Sequence, residues 1–399
     1  MNIAIVGQGY VGLNLSVHAA ENGYTVFGYD FDESKISKLV SGVSFIEGIV
    51  DGQVAKLVSN GNFQPTSDES CLRFAEIIII AVPTPLDTNR SPDLKFLQSA
   101  VATISRVVQK PVLIINESTS FPGTLRNEIA LEIAQATGID HLYASSPERV
   151  DPGNKTFSLK NTPRLVSGLT DEATSKAAEF YSKFCDHVVR VDTPEIAEAA
   201  KLFENTFRQV NIALVNELAQ ITHGLDIPVK KVIEAASTKP YGFMRFQPGA
   251  GVGGHCIPVD PTYLAFAAQR KGVSARFIEL ANQVNLSMPY YVVDRVKSDF
   301  EGELKGLAFK VVGLAYKSNV SDIRESPAIL LLEILRGLGA EVSWYDPLVK
   351  IWNNEISSEI QSQDNLIVVT LHDVVSIEEI SKAKYIFDCT GKIQNAKSF

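Results

Sequence analysis

The sequence predicts an α/β protein in which two doubly wound parallel-sheet domains are joined by a central domain of long helices. Three observations lead to this prediction. Strand and helix patterns alternate in the first part of the chain, a long uninterrupted helical stretch follows from about residue 193, and a second alternation begins at Phe309. The predicted domains are residues 1–190, 191–299 and 300–399.

The first domain is expected to contain a parallel sheet with both faces covered by helices. Strands are predicted at residues 2–6, 25–29, 77–82 and 112–115, with a helix at 11–21 after the first of them. The run at 77–82 is apolar at every position, and such continuous apolar strands between helices are typical of parallel sheets.

The central domain is predicted from one unusually long helix. Thr193 is a suitable N-cap, Pro194 suits the first helical position, and Gly224 suits the end. Residues 195–223 contain neither glycine nor proline, so the helix would extend roughly 45 Å at 1.5 Å per residue. We expect this helix to join two domains and to take part in a subunit contact.

The third domain is predicted as a second, smaller α/β unit. Strands are predicted at residues 309–314, 341–345, 366–370 and 385–388, and a helix at 327–338 that Gly339 ends.

Composition excludes several classes of protein. The formal net charge of −9 disfavours nonspecific binding to nucleic acid, and the apolar run at 77–82 is too short to span a membrane. The chain passes from Met1 directly into a predicted strand with no visible signal peptide, so we expect a soluble, cytoplasmic protein. The four cysteines and six histidines form no metal-ligand spacing, so no metal is expected, and buried inert thiols remain the simplest interpretation of the cysteines.

A glycine-rich turn after the first strand predicts a dinucleotide site. The motif Gly7-Gln8-Gly9-Tyr10-Val11-Gly12 follows a strand and opens a helix, so its backbone N–H groups can approach a pyrophosphate. Asp30 ends the next strand, about 20 residues on, where a carboxylate binds the adenosine ribose and disfavours a 2′-phosphate. The motif therefore predicts a Rossmann-like domain that binds NAD; a tight turn that binds nothing is the alternative.

A second glycine-rich segment precedes a cysteine. Gly249-Ala250-Gly251-Val252-Gly253-Gly254-His255-Cys256 has glycines that let the backbone wrap closely around a ligand. Asp260 and Pro261 are expected to begin a helix just after Cys256, and a cysteine near a helix N-terminus tends towards the reactive thiolate. Cys256 is thus a candidate nucleophile, although a buried inert cysteine and a plain helix cap at Asp260 are the simpler alternatives. His255 is expected to have a structural role.

The long helix carries a polar stripe. Lys201, Asn205 and Arg208 fall on one face at a spacing of four and three residues, and apolar residues Phe203, Phe207, Val210 and Leu214 occupy another. The stripe could be an ordinary solvated face, or it could supply donors to an oxyanion and a diphosphate.

Taken in order, such segments resemble the UDP-glucose/GDP-mannose dehydrogenase family along nearly the whole chain. The segments that carry the resemblance are Gly7–Gly12, Val82-Pro83-Thr84-Pro85, Glu117-Ser118-Thr119, Ser146-Pro147-Glu148, Lys201-Leu202-Phe203-Glu204-Asn205-Thr206, Asn216-Glu217, Gly253-Gly254-His255-Cys256, and Lys317 with Arg324-Glu325-Ser326-Pro327.

The resemblance implies an NAD domain, a helical dimerisation domain and a C-terminal domain that helps to hold UDP. It also implies a homodimer or a higher homo-oligomer that takes part in polysaccharide biosynthesis. The implied reaction oxidises the C6 alcohol of a UDP-sugar in two hydride transfers, through an aldehyde that Cys256 traps as a thiohemiacetal and then holds as a thioester.

The resemblance also assigns roles to individual residues. Lys201 and Asn205 would stabilise the oxyanion, while Asp260, Glu148 and Thr119 would handle protons or position water. The implied NAD contacts, besides the glycine turn with Tyr10 and Val11, are Asp30, Lys35, Thr84, Thr119 and Arg324. The implied substrate contacts are Glu148, Arg149, Lys201, Asn205, Arg208, Arg245, Gly249, Gly253 and Lys317.

One segment departs from the UDP-glucose branch of the family. That branch continues Pro-Glu-Phe-Leu-x-Glu, whereas this chain has Pro147-Glu148-Arg149-Val150-Asp151-Pro152-Gly153-Asn154 and so lacks the second glutamate. Together with Gly242-Phe243-Met244 and Cys256-Ile257-Pro258-Val259-Asp260-Pro261, this looks like the branch that acts on UDP-2-acetamido sugars. UDP-N-acetylglucosamine is the first candidate substrate, and UDP-N-acetylmannosamine and UDP-glucose are alternatives.

Two other classes of function remain open from the sequence. A β-hydroxyacid dehydrogenase has a similar architecture but performs one oxidation with a lysine, and a module that only binds NAD would not need Cys256. Both Cys256 in its glycine loop and the second α/β domain favour the nucleotide-sugar dehydrogenase.

Overall fold

The structure, a computed structural model, describes residues 1–151, 154 and 156–399. Pro152 and Gly153 of the segment that departs from the UDP-glucose branch lie outside the described residues. The chain forms two compact units, the first made of residues 1–204 and 262–273 and the second of residues 205–261 and 274–399. The three domain limits given above stay a prediction.

The first unit is built on an eight-stranded sheet in the order β3-β2-β1-β4-β5-β6-β7-β8. The strands are β1 (Asn2–Val6), β2 (Thr25–Tyr29), β3 (Phe63–Thr66), β4 (Ile77–Ile80), β5 (Leu113–Asn116), β6 (Leu142–Ser145), β7 (Arg164–Gly168) and β8 (Val188–Arg190). Strand β4 consists of four isoleucines that are at most 4% exposed, as expected for a strand covered on both faces. The predicted α/β class is confirmed.

Every neighbouring pair in this sheet is parallel except β6 and β7, which are antiparallel. The sheet is therefore mixed where a purely parallel one was predicted. A parallel neighbour needs a long crossover, usually a helix, and the described part of the β6–β7 connection (residues 146–151, 154 and 156–163) contains no helix. Strand order reverses at β1, and this is where α/β sheets bind ligands.

Helices cover both faces of this sheet. They are α1 (Tyr10–Glu21), α2 (Glu33–Val40), α3 (Asp51–Ser59), a 3-10 helix (Glu69–Phe74), α4 (Lys95–Val107), a π-helical turn (Leu125–Ala130) that continues into α5 (Leu131–Thr137), and α6 (Asp171–Tyr181). The helix predicted after the first glycine turn is α1, which begins one residue earlier than predicted.

The predicted long helix is α7 (Pro194–Gly224), 31 residues in length. It contributes residues 194–204 to the first unit and residues 205–224 to the second. Helix α9 (Asp260–Gln269), the predicted helix after Cys256, is divided in the same way between residues 261 and 262.

The second unit contains a four-stranded parallel sheet in the order β10-β9-β13-β14 and a two-stranded hairpin of β11 and β12. The strands are β9 (Ala308–Val312), β10 (Glu341–Tyr345), β11 (Ile351–Trp352), β12 (Glu355–Ile356), β13 (Asn365–Val368) and β14 (Tyr385–Asp388). Its further helices are α8 (Val229–Ala236), α10 (Arg276–Asp299), α11 (Pro327–Gly337) and α12 (Ile377–Ile380). Among the described residues, no helix is both long and apolar enough to cross a membrane.

Candidate active site

The glycine turn after β1 has a shape that only glycine allows. Gly7 has φ of +94°, and a Cβ there would lie 2.6 Å from the Ala81 carbonyl oxygen. A Cβ at Gly12 would lie 1.8 Å from the Gly7 carbonyl oxygen, so the turn packs directly on the start of α1. A Cβ at Gly9 would meet no atom within 4 Å. Gly9 therefore lines an open space at a helix N-terminus, which is what a pyrophosphate requires.

Asp30 lies beside this turn at the end of β2. Its side chain is 5% exposed and accepts hydrogen bonds from the Gln8 N–H at 2.8 Å and the Asp32 N–H at 3.0 Å. Lys35 approaches it to 3.5 Å. A carboxylate has about four lone-pair sites, so Asp30 keeps capacity for a ribose hydroxyl. Residues Gly7, Gly9, Gly12 and Asp30 together fit NAD.

The carboxyl ends of β4 and β5 are fastened together next to this turn. The Ser118 hydroxyl accepts a hydrogen bond from the Val82 N–H at 2.9 Å and donates one to the Val82 carbonyl at 2.8 Å. The bonds fix the segments that carry Thr84 and Thr119, both of which are half-buried. Both threonines are therefore placed at the edge of the sheet where the ligand is expected.

A buried arginine joins two carboxylates in the first unit. The Arg164 guanidinium lies 2.6 Å from Glu117 and 3.1 Å from Glu148, and its Nε donates to Ser146 Oγ at 2.9 Å. The Tyr181 ring lies under the guanidinium, 4.3 Å from its carbon, and the Tyr181 hydroxyl donates to Glu117. One cation is thus shared between two acids in a buried place.

The two carboxyl groups respond in opposite ways. Burial raises the pKa of Glu117 to about 7, in spite of the charge of Arg164. The pKa of Glu148 is lowered: burial opposes this, but the charge of Arg164 and hydrogen bonds from the Val150 and Arg149 N–H groups outweigh it. Glu148 is therefore held in its charged form. Pairs of acids with pKa values pushed apart are typical of proton-transfer sites.

Neighbouring Arg149 is held by an acid on the long helix. Its guanidinium lies 2.7 Å from Glu204 and donates to the Pro163 carbonyl at 2.5 Å. Arg149 was assigned to the substrate from the resemblance, and this assignment stays a prediction.

Helix α7 buries polar side chains and exposes apolar ones. Lys201 and Asn205 are 8% and 6% exposed, so the alternative of a solvated stripe is wrong for these two, while Arg208 is exposed. Apolar residues of the other face are open to solvent: Phe203 is 64% and Leu214 61% exposed. This reverses the usual arrangement of a surface helix and indicates that the polar face has a role other than solvation.

Asn205 is directly bonded to Asp260. The Asn205 Nδ2 donates to Asp260 Oδ2 at 2.6 Å, and Asp260 is 3% exposed. The structure thus brings together two residues that the sequence separates by 55 positions. Asp260 begins α9 as predicted, but its carboxylate is bound to a side chain of α7, so it is more than a helix cap.

Cys256 lies one helical turn before α9. Its carbonyl oxygen accepts from the Asp260 N–H at 2.8 Å and from the Val259 N–H at 3.1 Å, so the turn at Cys256 already has helical hydrogen bonding. Cys256 is partly exposed to solvent. The thiol therefore lies at a helix N-terminus, which favours the thiolate.

The other three cysteines have the surroundings of inert thiols. Burial raises the pKa of Cys71 and of Cys185 to about 12, and it raises that of Cys389 well above its ordinary value. The simple interpretation of a buried cysteine therefore holds for these three and is wrong for Cys256.

The two glycines nearest Cys256, Gly253 and Gly254, pack against the protein itself. A Cβ at Gly253 would lie 2.6 Å from Tyr316 Cβ, and one at Gly254 would lie 2.7 Å from the Tyr316 ring. The Gly254 N–H donates to the Arg324 carbonyl at 2.9 Å. Gly253 and Gly254 therefore let the loop lie flat on Tyr316, and the expectation that the glycine-rich segment wraps around a ligand stays a prediction.

Arg324 lies next to the cysteine loop. Its guanidinium forms an ion pair with Asp322 at 2.6 Å and contacts His255 Nδ1 at 3.0 Å, and its charge interacts with the Cys256 thiol. A neighbouring cation favours a thiolate. His255 thus contacts Arg324, in agreement with a structural role, and the assignment of Arg324 to the cofactor phosphates stays a prediction.

Matches to known families decide what this arrangement belongs to. Three models of the UDP-glucose/GDP-mannose dehydrogenase family match in order: the NAD binding domain at residues 1–185, the central domain at 195–287 and the UDP binding domain at 310–395. The chain belongs to the UDP-glucose/GDP-mannose dehydrogenase family. It is accordingly a nucleotide-sugar dehydrogenase that uses NAD, as predicted.

Similar proteins cover nearly the whole chain. A UDP-N-acetyl-D-mannosamine dehydrogenase of Pyrococcus horikoshii is 35% identical over 93% of this chain and 90% of its own length. A UDP-N-acetyl-D-glucosamine 6-dehydrogenase of Pseudomonas aeruginosa is 33% identical over 88% of this chain and 83% of its own length. The solved structure of a UDP-D-ManNAc dehydrogenase from Pyrococcus horikoshii has a TM-score of 0.90 at 32% identity, and it covers 100% of this chain and 98% of its own.

The remaining residues predicted for the substrate lie in the second unit. Gly249 N–H donates to Asn216 Oδ1 at 2.9 Å, which fixes the start of the cysteine loop on α7. Lys317 is half-buried just after β9, and Arg245 and Arg208 are exposed. Their roles stay predictions. Among the described residues, no cluster of three histidine, cysteine, aspartate or glutamate side chains is arranged to hold a metal.

The UDP binding domain repeats the turn of the NAD binding domain. The Gly313 N–H donates to the Tyr345 carbonyl at 2.8 Å, as the Gly7 N–H does to the Tyr29 carbonyl. Asp346 takes the place that Asp30 has, accepting from Leu314 N–H at 2.8 Å. Unlike Asp30, it also accepts from three further backbone N–H groups and lies 3.2 Å from His372 Nε2.

Sequence reasoning missed three members of the Arg164 network: Arg164, Glu117 and Tyr181. Arg164 itself is a charged residue in a strand that is otherwise mostly apolar, and Glu117 lies in a family segment to which no role was given for it. A charge inside a buried strand needs a partner, and this was the available signal. Tyr181 gave no such signal, because a tyrosine at a helix end is ordinary core.

Proposed function

We propose that this enzyme oxidises the C6 alcohol of a UDP-2-acetamido sugar to the carboxylate, with Cys256 as covalent nucleophile. The observation that carries the proposal is the position of Cys256: it is partly exposed at a helix N-terminus beside Arg324, whereas the other three cysteines are buried. The overall change is alcohol, water and two NAD⁺ to carboxylate, two NADH and three H⁺.

In this scheme NAD, when bound, supplies the hydride acceptor for each of the two oxidations. After the first, the thiolate of Cys256 adds to the C6 aldehyde and forms a thiohemiacetal. Loss of a second hydride gives a thioester, and water cleaves the C–S bond, which releases the acid and restores the thiol. Because the aldehyde is held covalently, it cannot escape between the two oxidations.

Lys201 and Asn205 are proposed to stabilise the oxyanion that develops on the C6 oxygen. They lie one turn apart on α7 and are both buried, so their donors are fixed and poorly solvated. Preorganised donors of this kind are the largest single contribution in many enzymes. The hydrogen bond to Asp260 orients the Asn205 amide.

Asp260, Glu148 and Thr119 are proposed to handle protons and position the hydrolytic water. Asp260 begins α9 one helical turn after Cys256, and its N–H donates to the Cys256 carbonyl at 2.8 Å. Glu148 is kept in its charged form by Arg164 and by backbone N–H groups, as a general base requires.

UDP-N-acetylglucosamine is the proposed substrate, and UDP-N-acetylmannosamine is the second candidate. The first is supported by the Pseudomonas aeruginosa relative and the second by the Pyrococcus horikoshii relative, whose names state these activities. The two sugars differ only in configuration at C2, so one enzyme can be assayed on both under the same conditions.

We also propose a homodimer formed through the exposed apolar face of α7 and α10. In the second unit Phe207, Leu214 and Ile221 follow one another at intervals of seven residues on α7, each at least 40% exposed. Phe277 on α10 is 80% exposed. Such a face is costly in water and is typical of a subunit contact. Leu214→Glu should lower the molecular mass in sedimentation, whereas Glu217→Gln on the same helix should leave it unchanged.

The test of the reaction is its stoichiometry. Purified enzyme is incubated with excess NAD and a limiting amount of UDP-N-acetylglucosamine, UDP-N-acetylmannosamine or UDP-glucose, and NADH is measured by absorbance. Two NADH per sugar on an acetamido sugar supports the proposal, and one NADH per sugar would contradict it. Cys256→Ala should bind NAD normally but form no carboxylate, and turnover to the acid by this variant would exclude covalent catalysis.

A further inference from the structure

Two buried asparagines connect the cysteine loop, residues 249–256, to the pair of long helices in the second unit. Asn216 of α7 is completely buried, and Asn285 of α10 is 6% exposed. The Asn216 Oδ1 accepts from the Gly249 N–H at 2.9 Å, and the Asn216 Nδ2 donates to Asn285 Oδ1 at 3.0 Å. The Asn285 Nδ2 donates in turn to the Gln209 carbonyl at 3.2 Å. A continuous chain of hydrogen bonds therefore runs from the first residue of the loop to the backbone of α7.

Helix α10 meets the same loop at its internal proline. Pro289 has no N–H, so the Asn285 carbonyl lacks its usual helical donor. Gly251 of the loop lies against this step: a Cβ there would be 3.0 Å from the Asn285 carbonyl oxygen and 3.8 Å from Pro289 Cδ. Its φ of +134° is also one that residues with a side chain rarely adopt. The loop thus has a defined place on α10, close to the asparagine that takes part in the chain of hydrogen bonds.

The other end of the loop is held separately. The Gly254 N–H donates to the Arg324 carbonyl at 2.9 Å, and Gly254 packs on the Tyr316 ring. Only four residues separate Gly249 from Gly254. A segment this short with both ends fixed has few conformations open to it. A displacement at Gly249 is therefore expected to reach Cys256, which lies two residues after Gly254.

We infer that Asn216 and Asn285 are positioning residues for Cys256: through Gly249 they fix the cysteine loop, and with it the direction in which the thiol meets the C6 aldehyde. A buried amide costs free energy unless it is hydrogen-bonded, and apolar residues would pack α7 on α10 without that cost. The two amides instead hold a backbone N–H of the loop. The inference rests on the proposed role of Cys256 as nucleophile, and neither asparagine is assigned a contact with the reacting atoms.

The inference predicts a change of product as well as of rate. Asn216→Ala and Asn285→Ala should each lower kcat for carboxylate formation about tenfold and leave the KM for NAD unchanged, because a small misplacement of a reacting group is costly in rate. The aldehyde that a misdirected thiol fails to hold should escape and react with added methoxyamine to give an oxime and water. A merely structural loosening would slow the reaction without releasing aldehyde. Because the asparagines act through one chain, the double variant should lose no more than Asn216→Ala.

The experiment is turnover of the full-length protein and its variants with saturating NAD, methoxyamine and the UDP-acetamido sugar that the parent oxidises faster. Mass spectrometry gives the ratio of oxime to carboxylate. Cys256→Ala is the reference for a missing thiol and should give oxime alone. Asn216→Asp keeps an acceptor for the Gly249 N–H and should restore the carboxylate. Gln220→Ala is the matched control, because it removes another contact between the same two helices, from Gln220 Nε2 to Met288 Sδ at 3.4 Å.

More oxime from the asparagine-to-alanine variants than from the parent and Gln220→Ala supports the inference. Asn285→Ala leaves the Asn216–Gly249 contact in place and carries the test should Asn216→Ala not fold. A parental ratio in the alanine variants, with oxime alone from Cys256→Ala, would overturn the inference and leave the proposed reaction intact. An equal rise in Gln220→Ala would overturn it too, since any loosening of the helix pair would then suffice. Carboxylate from Cys256→Ala would instead overturn the proposed reaction, and the positioning role with it.

Discussion

Asn205 donates a hydrogen bond of 2.6 Å to the Asp260 carboxylate, and both side chains are almost completely buried. The change Asn205→Asp would place a second carboxylate at this contact, and two adjacent buried acids cannot both ionise at ordinary pH. We therefore expect the acid limb of the kcat–pH profile to move upward and kcat at pH 7 to fall by about 10²-fold. The measurement is kcat between pH 5 and 9.

The matched control for this change is Asn211→Asp on the same helix. The Asn211 amide donates to the Phe207 carbonyl at 2.7 Å, so a charge added there adjoins a backbone carbonyl and not the Asp260 carboxylate. Its kcat–pH profile should coincide with that of the parent. A parental profile in Asn205→Asp as well would show that Asp260 takes no part in the proton transfer.

The exposure of Cys256 predicts selective alkylation. Iodoacetamide reacts with the thiolate, and burial raises the pKa of the other three thiols, to about 12 for Cys71 and Cys185. At pH 7.5 the folded protein should therefore take up one label, at Cys256, together with loss of activity. Mass spectrometry of the intact protein and its peptides gives the count and the position. The change Cys256→Ala should abolish labelling, and prior labelling at Cys71 would contradict the expectation.

Two glycines of the first turn should separate folding from cofactor binding. At Gly12 a Cβ would lie 1.8 Å from the Gly7 carbonyl oxygen, so Gly12→Ala should lower the free energy of unfolding by about 1–3 kcal/mol and weaken NAD binding as well. At Gly9 a Cβ meets no atom within 4 Å, so Gly9→Ala should keep the parental Tm but weaken NAD about tenfold by occupying the space of the pyrophosphate. Thermal unfolding and NAD titration of both variants test this, and parental NAD affinity in Gly9→Ala would argue against a cofactor at the turn.

The raised pKa of Glu117 predicts how stability changes with pH. Burial raises the pKa of this carboxyl from 4.5 to about 7, so between these values the folded protein holds a proton that the unfolded chain has released. The contribution of Glu117 to the free energy of unfolding therefore falls as pH rises from 4.5 to 7, and it is constant above pH 7. Glu117→Gln should remove that fall. Between pH 5 and pH 8 its free energy of unfolding should therefore rise by about 1–3 kcal/mol relative to that of the parent.

Urea unfolding at pH 5 and pH 8 measures this difference. Glu198, whose pKa burial also raises to about 7, titrates in the same range in both proteins, so part of the fall should remain. The exposed Glu132 provides the control Glu132→Gln, which should follow the parent at both pH values. An equal pH dependence in Glu117→Gln and the parent would mean that Glu117 is charged in the folded protein throughout.

The sequence predicted the elements that are marked by local signals. Helix α7 was predicted almost to its ends because Thr193, Pro194 and Gly224 mark them, and β1, β2 and β10 agree with prediction because apolar runs end at turn residues. Helix α10 was not predicted. Pro289 lies inside it and reads as a helix breaker, since it leaves the Asn285 carbonyl without its helical donor.

The site was less accessible to sequence reasoning than the fold. A spacing of four residues placed Lys201 and Asn205 on one face, but no pattern could say that this polar face is buried and that Phe203 is exposed, because burial depends on what packs against the helix. The Asn205–Asp260 contact joins residues distant in sequence. The Arg164 network joins residues from four parts of the chain, and the resemblance pointed only to the segments that contain Glu117 and Glu148.

The contrast between the two aspartates limits which ligand each sheet can receive. Asp346 takes five donors, four backbone N–H groups and His372, against about four lone-pair sites. Its oxygens are saturated from within the chain, so a sugar diol finds no acceptor there, whereas Asp30 still has one. Both sheets carry the same backbone turn, but only the turn beside Asp30 keeps an acceptor for the ribose of the dinucleotide. NAD therefore does not compete with the nucleotide sugar for the UDP binding domain.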